Sequence, residues 1–252
     1  MKIALITGAS SGMGRKFVYR LDEQKEYDEL WVIARRAERL EELSEKCRTK
    51  VRPIALDLLK SESFETLKAV LAEEKPEILT LVNAAGFGIF GAISDMTLDE
   101  QLEMIDLNDK ALTAVTNLSL PYLPEGAQIY NICSLSSFQP VPYIAVYGAS
   151  KAYALSFTRA LNVELKKRKI RAMGVCPGWV KTEFFDRAVR DDTITYYNRY
   201  FTPEEVVARA LRDMKRGKDV SVCGADIRFQ VFLTKILPHR LVMKIWCRQQ
   251  KK

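Results

Sequence analysis

Tyr147 and Lys151 stand four residues apart in the run Tyr147-Gly148-Ala149-Ser150-Lys151, and Ser134 lies upstream at the end of a strand-like segment. Residues four apart on a helix share one face. An ammonium beside a phenol favours the phenolate and lowers the cost of removing the phenolic proton. Such a pair can serve as a general acid and base for an alcohol or a carbonyl near neutral pH. Both residue types are common on helices, so the spacing alone says little. It gains meaning from a second feature at the other end of the chain.

That feature is Thr7-Gly8-Ala9-Ser10-Ser11-Gly12-Met13-Gly14, which joins an apolar strand to a helix. Gly8 permits a tight turn, Gly12 lets the backbone approach a pyrophosphate, and Gly14 lets helix and strand pack closely. The free N–H groups at the helix start attract phosphate oxygens. The spacing is Gly-x-x-x-Gly-x-Gly, not Gly-x-Gly-x-x-Gly, and no Gly-Lys-Ser/Thr follows as a P-loop requires. The second strand ends Val32-Ile33-Ala34-Arg35-Arg36. Dinucleotide sites that take NAD place an acid there for the ribose 2′-hydroxyl, whereas those that take NADP supply arginine for the 2′-phosphate. The arginines therefore favour NADP(H), without excluding NAD(H), and Arg15 is a further candidate cation. The alternative is that Arg35 and Arg36 are solvated surface charges. Asp57, followed by Leu58, can accept from an adenine amino group or simply form a turn. Asn83-Ala84-Ala85-Gly86 places small residues where a backbone must pass close to a ribose.

The elements that position these residues read as a regular alternation. Strands are expected at Lys2–Thr7, Leu30–Ala34, Val51–Leu56, Ile78–Asn83, Ala127–Cys133, Ile170–Cys176 and Asp219–Cys223. Helices are expected between them, with Ser61 as one N-cap, Thr97-x-x-Glu100 as a capping box and Thr202-Pro203 opening another. A long helix runs from Tyr147 to Lys167. Short apolar strands alternating with amphipathic helices imply an α/β fold: a doubly wound parallel sheet covered on both faces. Ligands then bind beyond the carboxyl ends of the strands, where the glycine turn, Asn83, Ser134 and Pro177 all fall. No linker or internal repeat divides the 252 residues, so they read as one domain. Within it, 1–182 is read as the cofactor and catalytic core, 183–201 as a substrate lid, and 226–252 as a basic amphipathic C-terminal segment.

With these pieces in order, the chain resembles the short-chain dehydrogenase/reductase family over about Lys2 to Thr182. The marks are the glycine turn, Asn83-Ala84-Ala85-Gly86, Asn108, Asn131-Ile132-Cys133-Ser134, the Tyr147–Lys151 run and Pro177-Gly178-Trp179-Val180-Lys181-Thr182. The resemblance implies that Tyr147 is the acid/base. Lys151 lowers its pKa and holds the nicotinamide ribose. Ser134 hydrogen-bonds the substrate oxygen, and Asn108 kinks a helix and orders a water in a proton relay. Ser134, rather than Ser136 or Ser137, stands at the family's separation from Tyr147. The cofactor-binding set implied is Gly8, Ser10, Ser11, Gly12, Met13, Gly14, Arg35, Arg36, Asp57, Leu58, Asn83, Ala84, Ala85, Gly86, Tyr147, Lys151, Pro177, Gly178, Val180 and Thr182. The reaction implied is hydride transfer between a nicotinamide cofactor and a ketone or secondary alcohol. The resemblance also implies a homodimer or homotetramer, joined through helices at about Asp99–Leu120 and Tyr147–Lys167.

Composition narrows the field. The single histidine, His239, argues against Ser-His-Asp, Cys-His or His-rich metal chemistry, and no metal site is expected. Five widely spaced cysteines and no signal peptide suggest a reducing, cytoplasmic setting. The net charge of +7 sits in the tail: Arg228 to Lys252 holds seven Lys or Arg and no acid. The main domain is thus balanced, and nucleic acid is not an expected partner. Aromatic and apolar residues in Phe87–Gly91, Phe138–Ile144 and Trp179–Tyr200 would form a hydrophobic pocket if they converge, suited to a steroid-, bile-acid- or lipid-like substrate. They could equally be core and lid packing. The tail is too charged to span a bilayer. Packing on the domain or on a second subunit is favoured for it, with peripheral membrane contact kept open. Two further classes share these features: a non-catalytic nucleotide sensor or scaffold on the same fold, and a membrane-surface interaction protein acting through its tail.

Overall fold

The computed structural model describes every residue from Met1 to Lys252. The chain runs β1 (Lys2–Thr7), α1 (Gly12–Asp22), β2 (Glu29–Ala34), α2 (Ala37–Lys46), β3 (Lys50–Ala55), α3 (Ser61–Glu74) and β4 (Glu77–Asn83). Next come α4 (Leu98–Ile105), α5 (Ala111–Ser119), β5 (Gln128–Ile132), α6 (Ala145–Glu164) and β6 (Arg171–Val175). The remainder is β7 (Trp179–Val180), α7 (Phe184–Ala188), β8 (Tyr200–Phe201), α8 (Pro203–Lys215), β9 (Val220–Ser221), α9 (Ala225–Ile236) and α10 (His239–Gln249).

Seven strands form one parallel sheet in the order β3-β2-β1-β4-β5-β6-β9. The fold is the expected doubly wound α/β sheet. Its strand order reverses between β1 and β4, and at such a switch point the loops on either side splay apart and leave a crevice. Alternate residues of the strands face opposite layers. Ala4 and Ile6 enter one core with Val32 and Val82, while Ile3 and Leu5 enter the other with Trp31 and Ile33. Because both faces are covered, the strands read as continuous apolar runs.

Several boundaries differ from expectation for local reasons. Lys60, not Ser61, is the N-cap of α3, and Ser61 is its first residue. The turn before α3 is instead tied by Ser63, whose hydroxyl donates to the Asp57 carbonyl at 2.7 Å. The helix of the Tyr147 run begins earlier, at Ala145, which puts Tyr147 in its first turn. The last strand shrinks to two residues because it pairs with β6 only at Gly174 and Val175. The 183–201 segment is not wholly irregular: α7 crosses it, and β7 and β8 pair at its two ends. The expected capping box forms at Thr97 with Glu100, and Thr202, expected to open α8, forms a second one with Glu205. The tail folds as two helices broken at Pro238, and no helix is long and apolar enough to cross a membrane.

Candidate active site

A cavity of about 710 Å³ opens at the carboxyl ends of β1, β2, β4, β5 and β6. Its floor at one end is the glycine turn. Gly8 has φ +66°, and a Cβ there would meet the Ala84 and Ala85 backbone at 2.7 Å. A Cβ on Gly14 would lie 2.2 Å from the Gly8 carbonyl oxygen. Any side chain at either position would push the turn, or the loop after β4, out of place. That loop is pinned by Thr7, whose Oγ1 accepts from the Ala84 and Ala85 N–H groups, both at 3.1 Å. The backbone amides that open α1 thus face a cradle kept open by its glycines, the arrangement a pyrophosphate needs. Thr182 closes it from above, its Cγ2 only 3.3 Å from where a Cβ of Gly12 would stand.

At the tip of β2 the arginines separate. Arg35 is exposed and lines the cavity. Arg36 donates to Ser10 Oγ at 3.1 Å and to Glu183 at 2.9 Å. Arg39, one helical turn on, also bonds Glu183. It was missed in the sequence, although an Arg three residues after another on a helix shares its face. The Arg39 and Arg36 guanidiniums hold the Glu183 carboxyl below its usual range. Arg15 does not join them. It bonds Tyr19 and Glu42 on α1 and α2, so the expected further cation faces away from the crevice. Asp57 and Leu58 line the cavity, with one Asp57 carboxylate oxygen accepting from Leu59 N–H at 3.2 Å. Asn83 stands apart. Its side chain turns into the protein and donates to Thr116 and Asn131, each at 2.9 Å.

The remaining residues gather at the other end. Ser134, Tyr147, Lys151, Pro177, Gly178 and Val180 all line the cavity. Ser134 Oγ accepts from Ser136 N–H at 3.2 Å, and its own O–H faces the Tyr147 hydroxyl at the cavity wall. Ser137 donates to the Lys151 carbonyl at 2.7 Å and so ties this turn to α6. Ser136 faces the cavity with a buried hydroxyl that has no partner. Lys151 is buried and its Nζ donates to the Ile132 carbonyl at 2.9 Å, while lying 5.8 Å from the Tyr147 ring centre.

The electrostatics differ from the expectation of an acidified phenol. Burial pushes Tyr147 up to about 12, and only the nearby Ser134 hydroxyl draws it back. Burial also pushes Lys151 down, with Cys133 and Asp109 pulling the other way. The ammonium that should favour the phenolate is committed to a carbonyl, and desolvation dominates both groups.

Asn108 lies beneath, in a π turn (Asp106–Lys110) that kinks the helix between α4 and α5. Its Oδ1 accepts from Phe87 N–H at 3.0 Å, and its Nδ2 donates to the Phe87 carbonyl and Ser150 Oγ at 2.9 and 3.0 Å. The side chain thus fixes the loop after β4 against α6. Its neighbour Asp109 was not singled out in the sequence. Burial raises the Asp109 carboxyl to about 7, against the opposing pull of Lys151, and its Oδ1 is buried without a partner. A raised carboxyl pKa favours the protonated folded state, so ionisation costs stability as pH rises from about 4 through 7. Asp109→Asn should therefore raise Tm by roughly 2–4 °C at pH 8, a gain of about 1 kcal/mol after allowance for solvent screening, and by nothing near pH 4. Thermal melts across that range check it.

Aromatic side chains converge on the crevice. Phe87, Trp179, Phe184, Phe185 and Tyr196 line it, with Phe184 5.5 Å from the Tyr147 ring. Phe90 and Tyr197 serve packing, each against Trp179, at 6.0 and 4.9 Å between ring centres. Polar groups enter too: Gln139, Asn198, Gln230, Gln249 and Arg187. The tail closes this wall. Trp246 donates to the Pro142 carbonyl at 3.0 Å, and Gln250 Oε1 accepts from Thr195 and Tyr196 N–H groups, both at 2.9 Å.

The family model for short chain dehydrogenase matches residues 2–193. The chain belongs to the short-chain dehydrogenase/reductase family. It is therefore an oxidoreductase fold of the class that acts on alcohols and carbonyls. Among curated members, it is 38% identical over 188 residues to sulfoacetaldehyde reductase 2 of Chromohalobacter salexigens, covering 72% of this chain and 74% of that one. Among solved structures, a short-chain dehydrogenase of Sphingobium yanoikuyae in complex with NADPH superposes with a TM-score of 0.81 at 27% identity, covering 94% and 97% of the two chains. The bulky-bulky ketone specific alcohol dehydrogenase of Comamonas testosteroni follows with a TM-score of 0.75 at 25% identity, covering 97% and 94%.

Proposed function

We propose that this short-chain dehydrogenase/reductase interconverts a ketone and a secondary alcohol with NADP(H), on a bulky, largely apolar substrate. The observation that carries the reaction is the meeting of Ser134, Tyr147 and Lys151 at one end of a cavity whose other end is the glycine cradle. The α1 amides would hold the pyrophosphate of a nicotinamide dinucleotide there, and Arg35 and Arg36 would hold a 2′-phosphate. When bound, it supplies the hydride; the protein supplies position and proton.

In reduction, the Ser134 hydroxyl would donate a hydrogen bond to the carbonyl oxygen and polarise it, keeping its own proton. Tyr147 then gives its proton to the same oxygen as carbon accepts hydride. Burial keeps Tyr147 protonated through the neutral range, so the proton to be given is in place. In oxidation the phenolate is needed, so Lys151 must come off the Ile132 carbonyl and face the hydroxyl. Asn108 keeps the loop after β4 in register beneath Lys151 and is proposed to order the water of the relay.

The aromatic lining supports the apolar substrate. A second reading has one specific support: Arg187 places a cation in the same wall, stacked 3.4 Å above the Phe87 ring and paired with Glu103 at 2.8 Å. It would favour a substrate with an acidic end, as the sulfoacetaldehyde reductase name suggests for that relative. A panel of steroid-like and aryl ketones, and of oxo-acids and sulfonated aldehydes, followed by nicotinamide absorbance, separates the two. The first reading expects turnover of apolar ketones unchanged in Arg187→Ala. Turnover of acidic carbonyls alone, lost in that variant, would replace it.

The five unpaired cysteines support a reducing, cytoplasmic setting. Exposed Leu98, Leu102 and Ile105 on α4, with Tyr153 and Val163 on α6, support a homo-oligomer joined through those helices.

A further inference from the structure

The C-terminal helices leave an apolar ridge in solvent. On α9, Ile227, Val231 and Thr234 face the core, while Phe229, Phe232 and Ile236 point the opposite way and are 62%, 55% and 60% exposed. The two phenylalanines stack 6.5 Å apart. On α10, Leu241 and Ile245 continue the exposed apolar surface. The same stretch carries the exposed Arg228, Lys235, Arg240, Lys244, Arg248, Lys251 and Lys252 and no acidic residue from Arg228 onward; Arg228 reaches the Val222 carbonyl, and Lys235 and Lys252 lie over the Phe138 and Tyr143 rings. None of the seven pairs with a carboxylate, although ion pairs are frequent on the rest of the surface. A folded monomer rarely exposes large aromatics in one row beside unneutralised cations.

We propose that α9 and α10 dock this protein on the surface of an anionic lipid bilayer. Apolar side chains flanked by lysine and arginine match the chemistry of that interface: the first enter the acyl boundary, and the second meet lipid phosphates and carboxylates. Charge selects this occupant over a second copy of the chain. A self-complementary contact would bring two sets of unpaired cations together with no acid to offset them. The ridge also adjoins the cavity. Leu233 of α9, Leu237 between the helices and Ile245 of α10 line it. Docking therefore sets one wall of the cavity against the bilayer, where an apolar ligand partitions. The membrane contact stands or falls independently of the reaction.

The test is co-sedimentation of the full chain with vesicles of phosphatidylcholine alone, or with about one-third phosphatidylglycerol. Binding should be at least about tenfold stronger to the anionic vesicles and should weaken in high salt, because surface charge is screened. Phe229→Ser with Phe232→Ser, and separately Arg240→Gln with Lys244→Gln and Arg248→Gln, should each cut that binding about tenfold. Both variants should keep the parent's circular dichroism, subunit number and turnover, since none of these residues lines the cavity. No binding to anionic vesicles, or equal binding to neutral ones, would overturn the proposal. So would loss of a subunit from the phenylalanine variant on sizing with light scattering, which would make the ridge a subunit interface.

Discussion

Tyr147→Phe should lower turnover by about 10³- to 10⁴-fold in both directions while leaving cofactor affinity within a factor of about two. The reasoning is local. The ring packs 5.5 Å from Phe184 and beside Lys151, and phenylalanine keeps those contacts. Only the hydroxyl is lost, and its one polar neighbour is Ser134. Lys151 keeps its bond to the Ile132 carbonyl, so the ribose contact proposed for it should survive. Steady-state rates, with cofactor affinity from fluorescence titration, separate the two effects. A variant that turned over at more than a tenth of the normal rate would show that another group moves the proton.

The second large effect concerns the adenosine end. Arg35→Ala combined with Arg36→Ala should weaken NADP(H) by at least about 100-fold and NAD(H) by less than about threefold, since charge-assisted bonds to a phosphate contribute roughly 1.5–3 kcal/mol each. Glu183 provides the converse test. Its carboxylate occupies Arg36 and Arg39 and competes with a 2′-phosphate for the same cations. Glu183→Gln removes that competitor and should tighten NADP(H) by about threefold, the modest gain expected of a half-exposed ion pair. NAD(H) should not respond. Titration of both variants with both cofactors reads the four values. Equal losses for NADP(H) and NAD(H) would mean that the arginines do not meet the 2′-phosphate.

Much of this architecture was legible because the relevant signals are local. The strand-end positions of the glycine turn, Ser134 and Pro177 follow from alternating apolar runs and breakers. The sheet order then brings those ends to one crevice. What sequence could not give depends on long-range partners. Arg15 looks like a phosphate ligand by its place after Gly14, until α2 brings Glu42 within 2.6 Å. Arg39 looks like a surface charge, until the segment after β7 carries Glu183 to it. Asp109 is an ordinary acid in the sequence; only the π turn buries its carboxylate near Lys151. The tail reads as basic and amphipathic, yet which apolar residues face the cavity and which face solvent is set by the break at Pro238 and by Gln250 anchoring the 194–197 turn.

In the proposed mechanism Lys151 acidifies the Tyr147 phenol once substrate and cofactor are bound, although burial opposes this in the free protein. The pH dependence of kcat for alcohol oxidation, measured for the parent and for Lys151→Met, tests it most directly. Oxidation needs the phenolate, so the rate should climb with pH and level off at an apparent pKa well below 12. The lysine substitution should move that midpoint up by about two units or more. Superimposable profiles for the two proteins would contradict the account.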